Sequence, residues 1–290
     1  MRPDSGTRAA SVEDRTGAGI HIRALQTDAE LRQCVELQRA TWGADFDDIV
    51  PPSVLRVAQK IGGVVAGAFG IDGRLLGFVF GMAGVRGGDI IHWSDMLAVR
   101  EDARDRGIGQ RLKEFQRTAA RASGATTMYW SYDPLVARNA HMNFNRLGVR
   151  VDEYIEDMYG PSSSTLHRGL GTDRLIVAWT LGAARVPSRD VSEAVLDAAS
   201  VVLNPGGREA ALLGSKASGA APPATVRIEI PLDIVQVRDA APEDAAQWRA
   251  STRTAFQWAL ANRYAVRRFV SAPERERGYY VLARLTGASA

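Results

Sequence analysis

The chain has 290 residues, 46% of them hydrophobic and 24% charged, a balance that excludes disordered and collagen-like classes and allows one large domain or two small ones. Its longest apolar runs, such as Val64 to Phe69 and Leu75 to Met82, are broken by glycine and fall far short of the roughly 18–20 residues of a membrane span. The lone Cys34 excludes an internal disulfide framework and any cysteine-based metal cluster. The net charge of +3 comes from 36 basic and 33 acidic side chains spread along the chain, without the basic stripe and interleaved aromatics of a nucleic-acid surface. The expectation is a cytoplasmic chain with no metal and neither nucleic acid nor membrane as partner. Only Lys60, Lys113 and Lys216 are lysines. Arginine suits bidentate anion recognition, although genome base composition explains the bias more plainly.

Residues 1–19 are polar, lack an apolar core, and read as a disordered leader. Ile20 to Leu25 alternates like a strand, and Asp28 reads as the N-cap of a helix through Trp42. Pro51 and Pro52 open a second helix to about Ile61. Two β-rich runs, Val64 to Ile71 and Leu75 to Val85, flank Asp72-Gly73, a hairpin signal. Gly87-Gly88 turns into a strand from Ile90 to Val99. A helix follows, with Ile108, Leu112, Phe115, Ala119 and Ala122 on one stripe and Gly124 at its end. Thr126 to Tyr132 reads as a strand, Arg138 to Leu147 as a helix, and Val149 to Tyr154 and Leu175 to Leu181 as strands. Between those last two, Gly160 to Gly171 reads as an exposed loop.

Pro205 to Ala224 has linker composition. Beyond it, Val226 to Ile230, a helix from Pro242 to Asn262, and the strands Val266 to Val270 and Tyr279 to Leu285 make a segment too small for a secure core of its own. The expected organisation is therefore a leader (1–19), a main domain (20–185), a linker or long loop (186–225) and a small α+β subdomain (226–290) packed on the main domain.

One segment carries chemistry. Met96-Leu97-Ala98-Val99, followed by Arg104-Asp105-Arg106-Gly107-Ile108-Gly109, puts a strand, a turn and two glycines at the mouth of a helix. Main-chain N–H groups at a helix start lack intrahelical acceptors and lie at the positive end of the macrodipole. The amides from about Arg106 through Ile108, Gly109 and Gln110 to Arg111 could therefore cradle a pyrophosphate, with Arg104, Arg106 and Arg111 adding charge. A helix start that merely needs a tight turn gives the same pattern.

Arg104-x-x-Gly107-x-Gly109 after Leu97-x-Val99 resembles the acyl-CoA-binding motif of the Gcn5-related N-acetyltransferase (GNAT) family. Asn139-Ala140, Phe144 and Leu147-Gly148-Val149 are similar to that family's later helix, where an Asn contacts the cofactor and an aromatic stands near the thioester sulfur. The order of elements from Ile20 to Leu181 is similar throughout. The resemblance implies an α/β (α+β) fold: a mixed, splayed sheet flanked by helices, extended here by the small C-terminal α+β segment, with coenzyme A held in a V-shaped opening between the fourth and fifth strands. It implies an N-acyltransferase using acetyl-CoA or another acyl-CoA as co-substrate. The amine of a small molecule or amino acid attacks the thioester directly, and main-chain N–H groups near Leu97, Ala98 and Val99 polarise the carbonyl. Holding the reactants together supplies roughly 7–11 kcal/mol.

An amine of pKa near 10.4 is neutral in only about one part in 2500 at pH 7, so a base is expected. Asp95 and His92, on opposite faces of their strand by alternation, are the candidates; pairing with an arginine and core packing are their plainer roles. The family often places a tyrosine acid where this chain has Phe144, so Tyr132, Tyr129 or Ser131 could stand in, with sheet packing as the alternative for the tyrosines. Asp133 could contact a cationic acceptor or cap a turn. His141 and His167 have no assigned role. Gly171-Thr172-Asp173-Arg174 resembles a segment of one branch of the family, allowing a larger donor such as succinyl-CoA with Arg174 pairing its extra carboxylate, or a salt bridge of Arg174 with Asp173. The C-terminal segment could shape the acceptor pocket or a homodimer contact. Decarboxylation or O-acyl transfer on the same fold, and a non-catalytic acyl-CoA-binding module, are the alternative functions.

Overall fold

The computed structural model describes residues 19–160, 169–182, 200–209 and 222–285. The expected leader, His167 and most of the expected linker lie outside the described residues. Two compact units divide the chain, Met1–Met128 and Tyr129–Ala290.

In the first unit, strands β1 (His21–Ala24), β2 (Val64–Phe69), β3 (Leu75–Arg86) and β4 (Asp89–Val99) pair antiparallel in that order. Helices α1 (Asp28–Trp42) and α2 (Pro52–Lys60) cover one face, and α3 (Ile108–Ala122) covers the other. Strand alternation, reset by a bulge at Leu76, makes both layers possible: Leu75, Phe78 and Phe80 of β3 join the α1–α2 layer, while Leu76 and Val79 join the α3 layer. Helix α1 starts one residue earlier than its sequence suggests. Thr27, not Asp28, is the N-cap, and with Glu30 it closes a complete capping box. The side-chain amide of Gln38 takes both the N–H and the carbonyl of Val50, fixing the end of the α1–α2 connection.

Strand β4 is not regular. Phe80 faces Met96 while Gly81 faces Ser94, so Asp95 has no partner on β3 and forms a β-bulge in that ladder. The bulge resets the alternation: His92 and Ser94 are buried on one side of it, and beyond it Met96 and Ala98 join the core against α1 and α2.

The second unit takes in β5 (Thr127–Tyr132) from Tyr129 on, with β6 (Arg150–Ile155) and β7 (Arg174–Thr180), in the order β5-β7-β6. A separate sheet has the order β10-β11-β9-β8, formed by β8 (Val201–Val202), β9 (Thr225–Pro231), β10 (Tyr264–Ala272) and β11 (Arg277–Arg284). The expected helix from Arg138 to Leu147 is one α-helical turn, α4 (Ala137–Ala140), that widens into a π-helix over His141–Leu147. Helices α5 (Ile234–Ala240) and α6 (Pro242–Ala261) complete the unit. Its core is aromatic: Phe144, Phe256 and Phe269 meet the Tyr280 ring edge-on at 5.0–5.8 Å between centroids.

Charged side chains join the C-terminal elements to the rest of this unit. Arg249 on α6 grips the carboxylate of Asp133 through two bonds of 2.9 and 2.7 Å, with both residues buried. Its Nε donates to the Leu170 carbonyl. Arg253, one turn on, takes both oxygens of Asp173, and the Tyr154 hydroxyl donates to the same carboxylate. The amide of Asn145 accepts from the Phe269 N–H and donates to the Phe269 carbonyl on β10.

Candidate functional site

The N-terminus of α3 is built differently from that of α1. Gly107 occupies the N-cap in the left-handed region (φ 70°) with no side-chain cap, and the first turn holds no acidic residue. A Cβ at Gly107 would meet nothing within 4 Å, so the position needs glycine for its backbone angle and lies open in front of the helix. Asp105, also left-handed at φ 61°, gives the preceding loop its tight course. The first intrahelical bond runs from the Arg111 N–H to the Gly107 carbonyl. The amides of Ile108, Gly109 and Gln110 therefore precede the helical ladder and point out of its end. That narrows the expected cradle, because the amide of Arg111 is already spent.

The flanking arginines divide. Arg104 and Arg106 are exposed, and Arg104 lies 3.6 Å from Glu101. Arg111, expected to add charge at the cradle, instead sends Nη2 to the main-chain carbonyl of Ile20 at 2.9 Å, tying α3 to the segment before β1.

Asp95 sits in the bulge, where its Oδ1 accepts from Trp93 Nε1 at 3.2 Å. Trp93 and Asp95 thus share one side of β4, and His92 lies on the other. Asp95 keeps solvent access although protein atoms crowd around it. That crowding, with the like charge of Asp48 adding to it, holds its carboxyl above the ordinary carboxylate value, and the Trp93 hydrogen bond only partly offsets the effect. A raised carboxyl with access to water is chemically suited to accept a proton.

His92 is placed otherwise. It is 1% exposed and faces α3, with Nε2 3.1 Å from Gln116 Nε2. Burial, and after it the charge of Lys113, lowers its pKa to about 4, so the ring is neutral near pH 7 and closed off from solvent. Leu97 and Val99, half-buried, pack on the α3 side, and Ala98 on the other.

The site residues of the second unit are mostly core. Tyr132 is buried, its hydroxyl donating to that of Tyr280, which donates in turn to the Pro134 carbonyl. Burial lifts the Tyr132 phenol well above its usual value. It is thus a packed residue whose proton is engaged, which removes the ground for expecting it to act as an acid. Phe144 stands edge-on to Tyr132 at 6.4 Å and is also buried. Asn139 is half-buried in α4. Tyr129 is buried, and Ser131 Oγ lies 2.8 Å from the Tyr159 hydroxyl. Asp133 is held by Arg249 and by the Leu135 N–H, away from any acceptor role. His141 contacts Asn145. Arg174 is buried, bonded to the main-chain carbonyl of Asp173, and lies over the Tyr159 ring.

Strand β1, two helices, the meander β2-β3-β4, a glycine-opened α3 and then β5 follow one another along the chain. This is the order of elements that the sequence led us to expect. Solved structures similar to this chain include an acetyltransferase of the GNAT family from Streptococcus pneumoniae (15% identity, 56% of this chain and 99% of that one, TM-score 0.44). They also include the ribosomal-protein-S18-alanine N-acetyltransferase from Escherichia coli (16% identity, 59% and 98%, TM-score 0.43). A third is aminoglycoside 6'-N-acetyltransferase complexed with coenzyme A (15% identity, 57% and 99%, TM-score 0.43). No protein-family model matches the chain, and no curated protein matches it in sequence. Against the GNAT expectation, the features missed in the sequence are the bulge at Asp95, whose alternation looked regular, and the buried polar residues Lys113 and Gln116 of α3.

Proposed function

We propose that the chain is an acyl-CoA-dependent N-acyltransferase of the GNAT family, with acetyl-CoA as its expected donor and the amine of a small molecule or amino acid as acceptor. The observation that carries this reading is the contrast between the two helix starts. Helix α1 closes its start with the reciprocal Thr27–Glu30 capping box, whereas α3 has no side-chain cap behind Gly107. An uncapped helix start with no acidic side chain is complementary to the pyrophosphate of coenzyme A, and the exposed Arg104 and Arg106 add charge beside it.

In this reading the acceptor ammonium loses its proton to Asp95, directly or through water. The neutral amine attacks the thioester carbonyl carbon, and main-chain N–H groups near Leu97 to Val99 stabilise the oxyanion. As the tetrahedral intermediate collapses, the C–S bond breaks, the CoA thiolate departs and the cationic nitrogen gives its remaining extra proton to water, leaving the amide. With Phe144 in place of a phenol and Tyr132 engaged in the core, water protonates the thiolate. His92 has no step. Gly109→Trp tests the proposal, because its indole would cover the open amides. Calorimetric titration with acetyl-CoA is expected to show binding by the unmodified protein and none by the variant. Equal affinity in the two would sink the cradle assignment.

A further inference from the structure

Between β4 and α3, where a sheet–helix interface is ordinarily apolar, the protein buries a polar layer. His92, Ser94, Lys113 and Gln116 are each at most 3% exposed. Lys113 Nζ donates to Ser94 Oγ at 2.6 Å, beside the His92–Gln116 contact. Gly81 makes room for the layer. A Cβ there would stand 2.4 Å from His92 Nε2, 2.6 Å from Gln116 Nε2 and 2.5 Å from the Trp93 carbonyl oxygen. The layer does not serve folding stability well. It buries an amine whose pKa burial lowers to about 7, and it leaves Gln116 Oε1 without a hydrogen-bond partner among the described residues; both cost free energy that an apolar layer would not.

Its position suggests another use. Lys113 follows Gly109 by four residues, so the two lie one turn apart on the same face of α3. Ser94 immediately precedes Asp95, the residue of β4 that the β3 register skips. A bulge interrupts the ladder and leaves its extra residue without a ladder bond to that neighbour. The bond from Lys113 to Ser94 therefore spans from the helix with the open amides to the residue next to the candidate base.

We propose that Lys113 and Ser94 form a clamp that fixes the bulge carrying Asp95 against α3, which makes Lys113 a positioning residue for acyl transfer. The proposal rests on the acyltransferase reading of the same site. Helix α3 is independently anchored by the fully buried Ile108 and Leu112, so loss of the clamp frees the bulge more than the helix. The donor site should survive while the geometry of the chemical step suffers.

The test uses Lys113→Met, which is one atom shorter and removes the donor, and Ser94→Ala, which removes one hydroxyl. Each is expected to lower kcat about tenfold or more while KM for acetyl-CoA changes less than about threefold, and the double variant should be no worse than the poorer single one. Hydrogen exchange of the amides from Asp95 to Leu97 is expected to quicken about tenfold in either variant, a readout that needs no turnover. A merely structural role would shift the melting temperature and leave both kcat of the folded protein and this exchange unchanged. Unaltered exchange, or kcat within about twofold of the parent in the mild Ser94→Ala variant, overturns the clamp. Absence of acyl transfer by the unmodified protein overturns the acyltransferase reading instead, and the exchange measurement then decides the clamp alone.

Discussion

Replacing Arg249 by Met should strand a buried carboxylate and strongly destabilise the second unit. Arg249 and Asp133 are 4% and 6% exposed and share two hydrogen bonds of 2.9 and 2.7 Å. Burial alone would raise the Asp133 carboxyl, but the charge and hydrogen bonds of Arg249 hold it below the usual carboxylate range. Without Arg249 the carboxylate is buried with its main charge partner gone, a situation that costs about 3–5 kcal/mol. In a unit of this size that corresponds to roughly 6–20 °C in Tm. The assay is urea and thermal unfolding from pH 3 to 8. In the parent, a lowered Asp133 pKa contributes stability that is complete above the unfolded value near 3.9 and is lost as pH falls through the folded value. In the variant the carboxyl is raised instead, so its penalty grows as pH rises above about 4. The gap between the two proteins is therefore widest near neutrality and narrows in acid. Asp133→Asn combined with Arg249→Met removes the stranded charge, keeps an acceptor for the Leu135 N–H, and should recover at least about half the loss. A single variant within about 1 kcal/mol of the parent at pH 7, or a gap that widens in acid, would refute the reasoning.

Asp95→Asn should lower kcat far more than KM for the donor and flatten the rise of rate with pH; unchanged activity from pH 6 to 9 removes Asp95 as the base. Gly81→Ala should cost about 2–4 kcal/mol in urea unfolding, because its methyl meets the Trp93 carbonyl, which cannot swing away as a side chain can; a loss below about 1 kcal/mol would show that β4 shifts freely. Lys113, lowered to about 7 in the fold against about 10.4 unfolded, makes the parent gain stability as pH rises from 7 to 10, and Lys113→Met should abolish that gain. Thiol release with a panel of amines separates transfer from mere binding, and CO2 release from malonyl-CoA without any amine would favour the decarboxylase alternative.

Much of this architecture is legible in residue order because each element buries one face. The spacing of Ile108, Leu112 and Phe115 marks α3, and Asp72-Gly73 between apolar runs marks the β2–β3 hairpin. Gly107 ahead of α3 and Gly109 in its first turn likewise announce an open helix start. What escapes the pattern does so for physical reasons. The capping box at Thr27 was available as Thr27-Asp28-Ala29-Glu30, yet an aspartate at the next position is an equally good cap by type. Ala122, on the predicted stripe, is exposed, while Lys113 and Gln116 are buried, since a polar residue can enter a core when a partner waits there. The bulge at Asp95 depends on how β3 and β4 register, which neither strand encodes alone. His92 and Tyr132 have suitable chemistry, but only three-dimensional burial shows that their polar atoms are engaged. Helix α5 and strand β8 are too short for periodicity to reveal.

The Asn145 amide on Phe269 has a consequence for solubility. Strand β10 lies at the rim of its sheet, and a rim strand offers main-chain donors and acceptors on which another chain can be templated. Asparagine carries a donor and an acceptor side by side, as a peptide group does, and here it occupies both valences of one residue in the middle of that rim. The side chain acts as a one-residue substitute for a missing neighbour strand. Aspartate, of the same shape, would leave the carbonyl of Phe269 facing a carboxylate, and the reopened rim would be the place where self-association begins.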